Sequence, residues 1–307
     1  MNPRIEVSFI IPCFNEISII PITIKKIMEQ ADKNNLIYEI VVVDNMSTDG
    51  SFEEVKKLNI DPIRSKGKTV AEVRNHGFKR SKGEILVFLD SDVVLGDEWG
   101  GVFLNIVNDI RVNRVITGSH CSVPENLRQP FFSWYKGIEK DVRNTHLGTG
   151  HLIVHRDVFR DIGMFDESMT SGEDYEFCQR ARLKGATIKG NEKLKVYHMG
   201  YPDGVFSFIA RESWHGISDF KKMKYFLNSK IAMMSVLFVF LHIFLFYHAF
   251  AHSSFAFFVT LGSIFLFLAV SVIKKFSYDG FRDFLFKVVV AYLYFVGRSI
   301  SAFRALG

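Results

Sequence analysis

Phe88-Leu89-Asp90-Ser91-Asp92 decides how this chain is read. An apolar run over 85–89 ends in two acids placed one residue apart. Alternate residues of a strand point to opposite faces, and open α/β sheets gather their ligands at the carboxyl ends of strands. Carboxylates in that position suit a hard divalent cation that keeps other coordination sites for substrate phosphates. Taken alone, Asp-x-Asp also marks an ordinary strand-to-turn junction. The surrounding sequence decides between the two.

Working outward, residues 1–200 alternate short apolar runs with longer amphipathic ones. Strands are expected over 6–11, 38–43, 62–64, 84–89, 115–118 and 152–155. Helices are expected over 16–31, 51–58, 68–80, 98–110 and 173–184. Such alternation predicts βαβ units and a mostly parallel sheet flanked by helices. Polar clusters follow three of the strands: Pro12-Cys13-Phe14-Asn15-Glu16, Asp44-Asn45-Met46-Ser47-Thr48-Asp49-Gly50 and Asp90-Ser91-Asp92. A helix between the last two carries Arg74-Asn75-His76-Gly77. Each cluster by itself reads as a helix start or a turn. Three of them at one edge of one parallel sheet read as a ligand site.

Beyond residue 200 the composition changes. Residues 231–273 are 43 consecutive positions without Asp, Glu, Lys or Arg, and one membrane-spanning helix needs about 20. Two spans are expected there, with a turn over 248–254. Residues 281–302, apolar but interrupted by Lys287 and Arg298, fit either a third span or an interfacial helix. The formal charge of +5 is uneven: 205–230 carries net +3, 274–307 net +4, and the remainder −2. Basic flanks beside apolar spans indicate the cytoplasmic side and attraction to anionic lipid, which counts against nucleic acid as the partner. Phe206, Ile209, Ala210, Ile217, Phe220 and Leu227 form one stripe at a 3.6-residue period. An amphipathic helix leading into the spans is expected over 205–230. The boundaries expected are thus 1–204 for the α/β domain, with Pro202-Asp203-Gly204 as the turn, 205–230 for the helix and 231–307 for the membrane domain. No signal peptide is expected. Cys13, Cys121 and Cys178 are too scattered for a zinc site and suit a reducing compartment.

At this point the sequence resembles family 2 of the glycosyltransferases, inverting enzymes of the GT-A fold, in their membrane-anchored bacterial form. The resemblance covers roughly residues 5–200. It rests on Pro12-x-Phe14-Asn15-Glu16, Asp44-Asn45-x-Ser47-Thr48-Asp49-Gly50, Gly67-Lys68…Ala71…Asn75-x-Gly77 and Asp90-Ser91-Asp92. It continues through Gly163-x-Phe165-Asp166-Glu167, Gly172-Glu173-Asp174…Cys178-x-Arg180 and Lys184-Gly185. Met46 stands where the family often has Gly, and no Gln-x-x-Arg-Trp motif of the processive synthases is present.

The resemblance implies roles residue by residue. Pro12, Phe14, Asn15, Glu16, Asp44, Asn45, Arg74 and Asp90 belong to nucleotide binding. Within that group Asp44 accepts from the base's ring N–H, Glu16 and Asp90 meet the ribose, and Arg74 meets the base or diphosphate. Asp92 is the direct ligand of Mn²⁺ or Mg²⁺, with Asp90 reaching it through water and His198 completing its shell. Asp174 is the general base, with Glu173 next in line. The implied donor is a nucleoside-diphosphate sugar, a UDP-sugar before a GDP-sugar. Tethering to a membrane suggests a lipid-linked, polyprenyl-type acceptor in glycan synthesis at the cytosolic face of the cytoplasmic membrane, whose phosphate Arg211 and His215, four residues apart, are placed to meet. Two rivals stand beside this reading. One is a haloacid-dehalogenase-like phosphatase with Asp90 as nucleophile, which needs its strand to open the fold. The other is a non-catalytic membrane scaffold that binds sugar nucleotides.

Overall fold

The computed structural model describes residues 6–124, 146–202, 204–276 and 278–306. The described residues up to Gly200 form one compact unit, and those from Tyr201 onward form a second.

In the first unit, β1 (Val7–Cys13), β2 (Tyr38–Asp44), β3 (Ile63–Arg64) and β4 (Ile85–Leu89) alternate with α1 (Ile20–Lys33), α2 (Ser51–Lys57) and α3 (Val70–Arg80). Then come β5 (Val93–Leu95), α4 (Trp99–Val112), β6 (Val115–Gly118), β7 (Cys121–Ser122), β8 (His151–His155), α5 (Arg156–Ile162), α6 (Glu173–Leu183), β9 (Thr187–Gly190) and β10 (Val196–His198). Seven strands form one sheet in the order β3-β2-β1-β4-β8-β6-β9, parallel except for β8. A second, three-stranded sheet runs β5-β10-β7. The α/β, mostly parallel expectation is met.

β1 and β4 are apolar at nearly every position because both faces of the sheet are covered. Phe9, Ile11 and Cys13 pack with Ile20, Ile24 and Ile27 of α1 and with Trp99 and Phe103 of α4. Ile10 points the other way, into a cluster with Ala71, Phe78, Leu86 and Phe88. Register then places the site. Cys13 lies opposite Asp44 and Ile10 opposite Phe88, so the loops after β1, β2 and β4 leave the sheet along one edge.

Two helix starts differ from expectation. The first helix begins at Ile20, because Asn15 takes a left-handed backbone (φ 56°) and Glu16–Ile19 forms a turn. Pro21 then fits the first helical turn, where its missing N–H leaves no bond unmade. α3 starts at Val70 because the Thr69 side chain accepts from the Glu72 N–H.

The second unit contains α7 (Val205–His215), α8 (Ile217–Lys221), α9 (Met223–Asn228), α10 (Lys230–Phe250), α11 (Ser254–Lys275) and α12 (Gly280–Leu306). The single amphipathic helix expected over 205–230 is in fact three short ones, interrupted at Gly216 and at Lys222, whose backbone is extended (φ −137°, ψ 139°). Asp203, in the turn expected before it, lies outside the described residues. The chain turns between Phe250 and Ser254, inside the predicted 248–254. Among the described residues three helices are long and apolar enough to cross a membrane, Lys230–Phe250, Ser254–Lys274 and Gly280–Ala305.

α7 is seated on the C-terminal half of α12. A Cβ on Gly297 would stand 2.9 Å from the Ile209 carbonyl oxygen and from the Glu212 Cβ, so only glycine admits this approach. Ser301 Oγ donates to the Ser213 carbonyl (2.8 Å), Arg304 to Ser213 Oγ (2.7 Å), and the buried Glu212 carboxylate lies 3.7 Å from Arg298. On the hairpin side of α12, Phe295 packs against Phe238 and Phe267.

Candidate active site

The loops after β1 and β2 are buttoned together by side chains. Asn15 Oδ1 accepts from the Thr48 N–H (2.9 Å), Asp49 from the Ile17 N–H (3.0 Å) and Ser51 Oγ from the Glu16 N–H (2.8 Å). Asn15, expected to bind nucleotide, therefore spends its amide oxygen on the neighbouring loop. Phe14 is exposed beside it, and Pro12 lies in β1 opposite Val43. Asn45 is tied on both sides, its N–H to the Cys13 carbonyl (2.8 Å) and its side-chain NH₂ to the Gly67 carbonyl (3.1 Å). Met46 has φ 63°, the left-handed region that favours glycine, which accounts for the family's frequent Gly there.

Asp44 is buried. Its Oδ2 accepts from Arg64 (2.8 Å) and from the Ser47 N–H (3.1 Å), while Oδ1 has no partner among the described residues. A buried carboxylate oxygen left unpaired is costly, and a ring N–H would satisfy it. Arg64 is a residue the sequence reading missed. It lies over the Phe52 ring at 3.8 Å and is 40% exposed. The strand over 62–64 was expected, but nothing in the sequence marks that its last residue reaches Asp44.

Arg74 is the hinge pin of the site. Its guanidinium donates to Glu173 Oε1 (2.7 Å) and to Asp90 Oδ1 (2.5 Å) at 4% exposure. It was expected to meet base or diphosphate, but its terminal nitrogens are bound to two carboxylates of the protein. Burial works against its charge, yet Asp90 and Glu173 outweigh burial and hold it cationic. The bridge ties the Asp90-Ser91-Asp92 turn to the N-terminus of α6. Glu173 also accepts from Thr149 Oγ1 (3.1 Å) and is buried. Burial first, then Asp174, push its carboxyl up, and Arg74 holds that rise in check.

Asp174 differs from its neighbour. Its Oδ1 accepts from the Tyr175 N–H (2.7 Å), and its Oδ2 lies 3.3 Å from His146 Nε2. Burial pushes Asp174 up, but His146 and that N–H outweigh it, so the group stays below the usual carboxylate range. In return, burial pulls His146 down while Asp174 raises it further, for a net upward shift. Gly148-Thr149-Gly150 passes between the two ends of the site. A Cβ on Gly148 would stand 3.6 Å from Asp174 Oδ2, and one on Gly150 3.3 Å from Asp90 Oδ2. His146 and this short loop, which carry no recognisable motif, were also missed in the sequence.

On the other side, Asp92 Oδ2 lies 3.5 Å from His198 Nε2, each side chain 14% exposed. β10 pairs His198 with Val93, and a Cβ on Gly200 would stand 2.0 Å from Asp92 Oδ2, so any side chain there would displace that carboxylate. Glu16 belongs to the same negative region. Burial first, then Asp92, Asp49 and Asp90, push its carboxyl up to about 7. Among the described residues no three His, Cys, Asp or Glu side chains form a ready-made metal cage. One carboxylate with an imidazole beside it, in surplus negative charge, fits a Mg²⁺- or Mn²⁺-type ion that draws its other ligands from substrate phosphates. Cys13 supplies no nucleophile there, since burial, then Asp44 and Glu16, push its thiol up to about 12. Arg211 and His215 are on α7 in the second unit, 3.4 Å apart, with Arg211 over the Tyr201 ring at 5.6 Å.

Residues 8–163, half of the chain, match the family model described as glycosyl transferase family 2. The chain belongs to glycosyltransferase family 2. As a family 2 member it is a glycosyltransferase that draws on nucleotide sugars. It is 28% identical over 208 residues to the glycosyltransferase AglE of Haloferax volcanii, a match covering 64% of this chain and 68% of that protein. It is 24% identical over 225 residues to the poly(ribitol-phosphate) beta-glucosyltransferase of Bacillus spizizenii, covering 69% of this chain but 35% of the relative. Among solved structures, the mannosyltransferase PcManGT of Pyrobaculum calidifontis, in complex with GDP-Man and Mn²⁺, shares the fold. Its TM-score is 0.59 at 16% identity, covering 99% of this chain and 88% of that one. The UDP complex of residues 1–349 of S. aureus TarS gives 0.52 at 17% identity, covering 76% and 78%. These GT-A neighbours leave the phosphatase rival without support. Three long apolar helices after the family 2 domain indicate membrane association.

Proposed function

We propose that this family 2 enzyme transfers a sugar, with inversion, from a nucleoside-diphosphate sugar to a lipid-linked acceptor at the cytosolic face of a membrane. The observation that carries the reading is the Arg74 bridge. It holds the donor-side turn, Asp90-Ser91-Asp92, against the helix start that presents Asp174. Asp44 Oδ1 accepts the base's ring N–H. Arg64 beside it offers N–H donors to an adjacent carbonyl, a pattern met by uracil or guanine and reversed in cytosine or adenine. The pattern favours UDP- and GDP-sugars over cytidine or adenosine donors, in keeping with the UDP and the GDP-Man held in the two neighbouring complexes.

Asp92 with His198 would hold a Mn²⁺ or Mg²⁺ ion and the diphosphate; such an ion supplies Lewis-acid stabilisation of charge on the leaving phosphate. Asp174 takes the proton of the attacking acceptor hydroxyl. Its lowered pKa keeps it ionised, and His146 orients it. Glu173, buried and doubly hydrogen-bonded, positions Asp174 without receiving the proton. One base and one in-line displacement give inversion. The basic flanks of the apolar helices support a cytosolic catalytic unit, and membrane tethering favours a polyprenyl-linked acceptor.

The test is Asp174→Asn. Transfer falls by at least a hundredfold, in line with the roughly 10²–10⁴ contributed by a general base, while sugar-nucleotide affinity measured by calorimetry changes less than threefold. Turnover near wild type in this variant would remove Asp174 from the mechanism.

A further inference from the structure

α10 and α11 enclose a groove of about 650 Å³, closed at its back by Tyr294 and Phe295 of α12. That volume lies in the range of small-ligand sites, roughly 300–1,000 Å³. The lining is almost wholly apolar, with Leu266 and Val270 typical of it, and among the described residues no Asp or Glu contributes. Lys230, the first residue of α10, and Lys274, near the last turn of α11, line the same groove. The hairpin is antiparallel, so both ammonium groups are at one end. Neither lysine is ion-paired with a carboxylate among the described residues.

These facts limit the occupant. A soluble sugar or nucleotide would bury hydroxyls against hydrocarbon without partners, which is unfavourable. An uncharged lipid would leave two ammonium groups unanswered at the groove's mouth. Charge complementarity calls for an amphiphile with one chain and an anionic head. A phosphomonoester carries about −1.5 to −2 at pH 7 and matches two lysines. The phosphodiester of an ordinary phospholipid carries one charge, and its two chains exceed one groove.

We propose that this groove binds a single-chain lipid phosphomonoester of the polyprenyl phosphate kind, with its chain between α10 and α11 and its phosphate held by Lys230 and Lys274. The proposal rests on the reading above that the acceptor is lipid-linked, and it assigns that lipid a site in the second unit.

The test uses the full chain in nanodiscs of neutral phosphatidylcholine, with farnesyl phosphate as the probe and binding followed by native mass spectrometry. Farnesol, phosphatidylglycerol and inorganic phosphate serve as competitors. Farnesyl phosphate is expected to bind at least tenfold more tightly than farnesol and to resist an equal concentration of the other two. Lys230→Gln with Lys274→Gln removes the preference over farnesol, and Leu266→Trp, which fills the groove, weakens both ligands. Should Leu266→Trp fail to fold by circular dichroism, the lysine pair decides alone. Equal binding of phosphate and alcohol, or displacement by phosphatidylglycerol at equal concentration, overturns the proposal. So does an unchanged preference in the double variant. UDP and GDP titrations on the same samples separate the two readings. Intact nucleotide binding without the farnesyl phosphate preference defeats the groove alone. Lysine-dependent lipid binding without transfer to any lipid acceptor defeats the functional reading alone.

Discussion

Replacing Arg74 by Met removes the one cation between two carboxylates while keeping an unbranched side chain of similar reach. The cost follows from the structure. Asp90 is 31% exposed and can turn to water, so its arm of the bridge contributes little. Glu173, at 6%, cannot. Breaking a buried pair on one side costs about 3–5 kcal/mol, but Glu173 has a way out, since it can bind a proton. Starting from its ordinary pKa of 4.5, protonation at pH 7.5 costs about 4 kcal/mol, at 1.36 kcal/mol per pH unit. The penalty is therefore capped near that figure, and it shrinks by about 1.4 kcal/mol for each unit of acidification. At roughly 2–4 °C per kcal/mol for a domain of 150–250 residues, Arg74→Met lowers Tm by about 8–16 °C at pH 7.5 and by about 3–6 °C at pH 5.5. Scanning fluorimetry of the full chain in detergent reads both values. Arg74→Met with Glu173→Gln recovers most of the loss, because position 173 then carries no charge. A Tm drop equal at the two pH values, or a double variant no better than the single, would refute the buried-charge account.

Three further outcomes follow from the geometry. The His146–Asp174 pair stabilises the fold only between two limits: it is lost as pH falls through the lowered pKa of Asp174 and again as pH rises through the raised pKa of His146. Turnover, in contrast, rises with pH as His146 loses its proton and stops competing for Asp174, so His146→Gln flattens this ascending limb of the kcat profile; an unchanged limb would disconnect His146 from the base. Met46→Gly shifts stability by no more than about 1 kcal/mol, since relief of the left-handed backbone is offset by the freer unfolded chain. Met46→Val, β-branched at φ 63°, destabilises by more than that, and equal melting temperatures for the two variants would show that the backbone at this position is not what matters. Gly297→Leu forces side-chain atoms against the Ile209 carbonyl and Glu212, costing about 1–3 kcal/mol, read as faster proteolysis between residues 205 and 230 in detergent.

Much of this protein is determined locally and so was legible in the chain itself. Apolar β1, β2 and β4 are long enough to show their burial, and polar clusters mark where each one ends. Forty-three uncharged residues in a row admit little besides membrane helices. β5, β7, β9 and β10 are two to four residues long and carry no period to read, yet β10 is what brings His198 to Asp92. The amphipathic stripe over 205–227 was real as a pattern, but Gly216 and the extended Lys222 divide it, because α7 is seated against α12. Arg74, Asn15 and Arg64 show the same limit at the level of single side chains. A motif states which residue stands at a position, but not which of its atoms are already bound. Residue type and order determined the family, the cation-suited carboxylates and the membrane helices, because strand ends, charge and hydropathy act over neighbouring residues. Only tertiary structure decided that Glu173 is held by Arg74 while Asp174 is left to His146, because those partners lie 99 and 28 positions away along the chain and meet only when the sheet has formed.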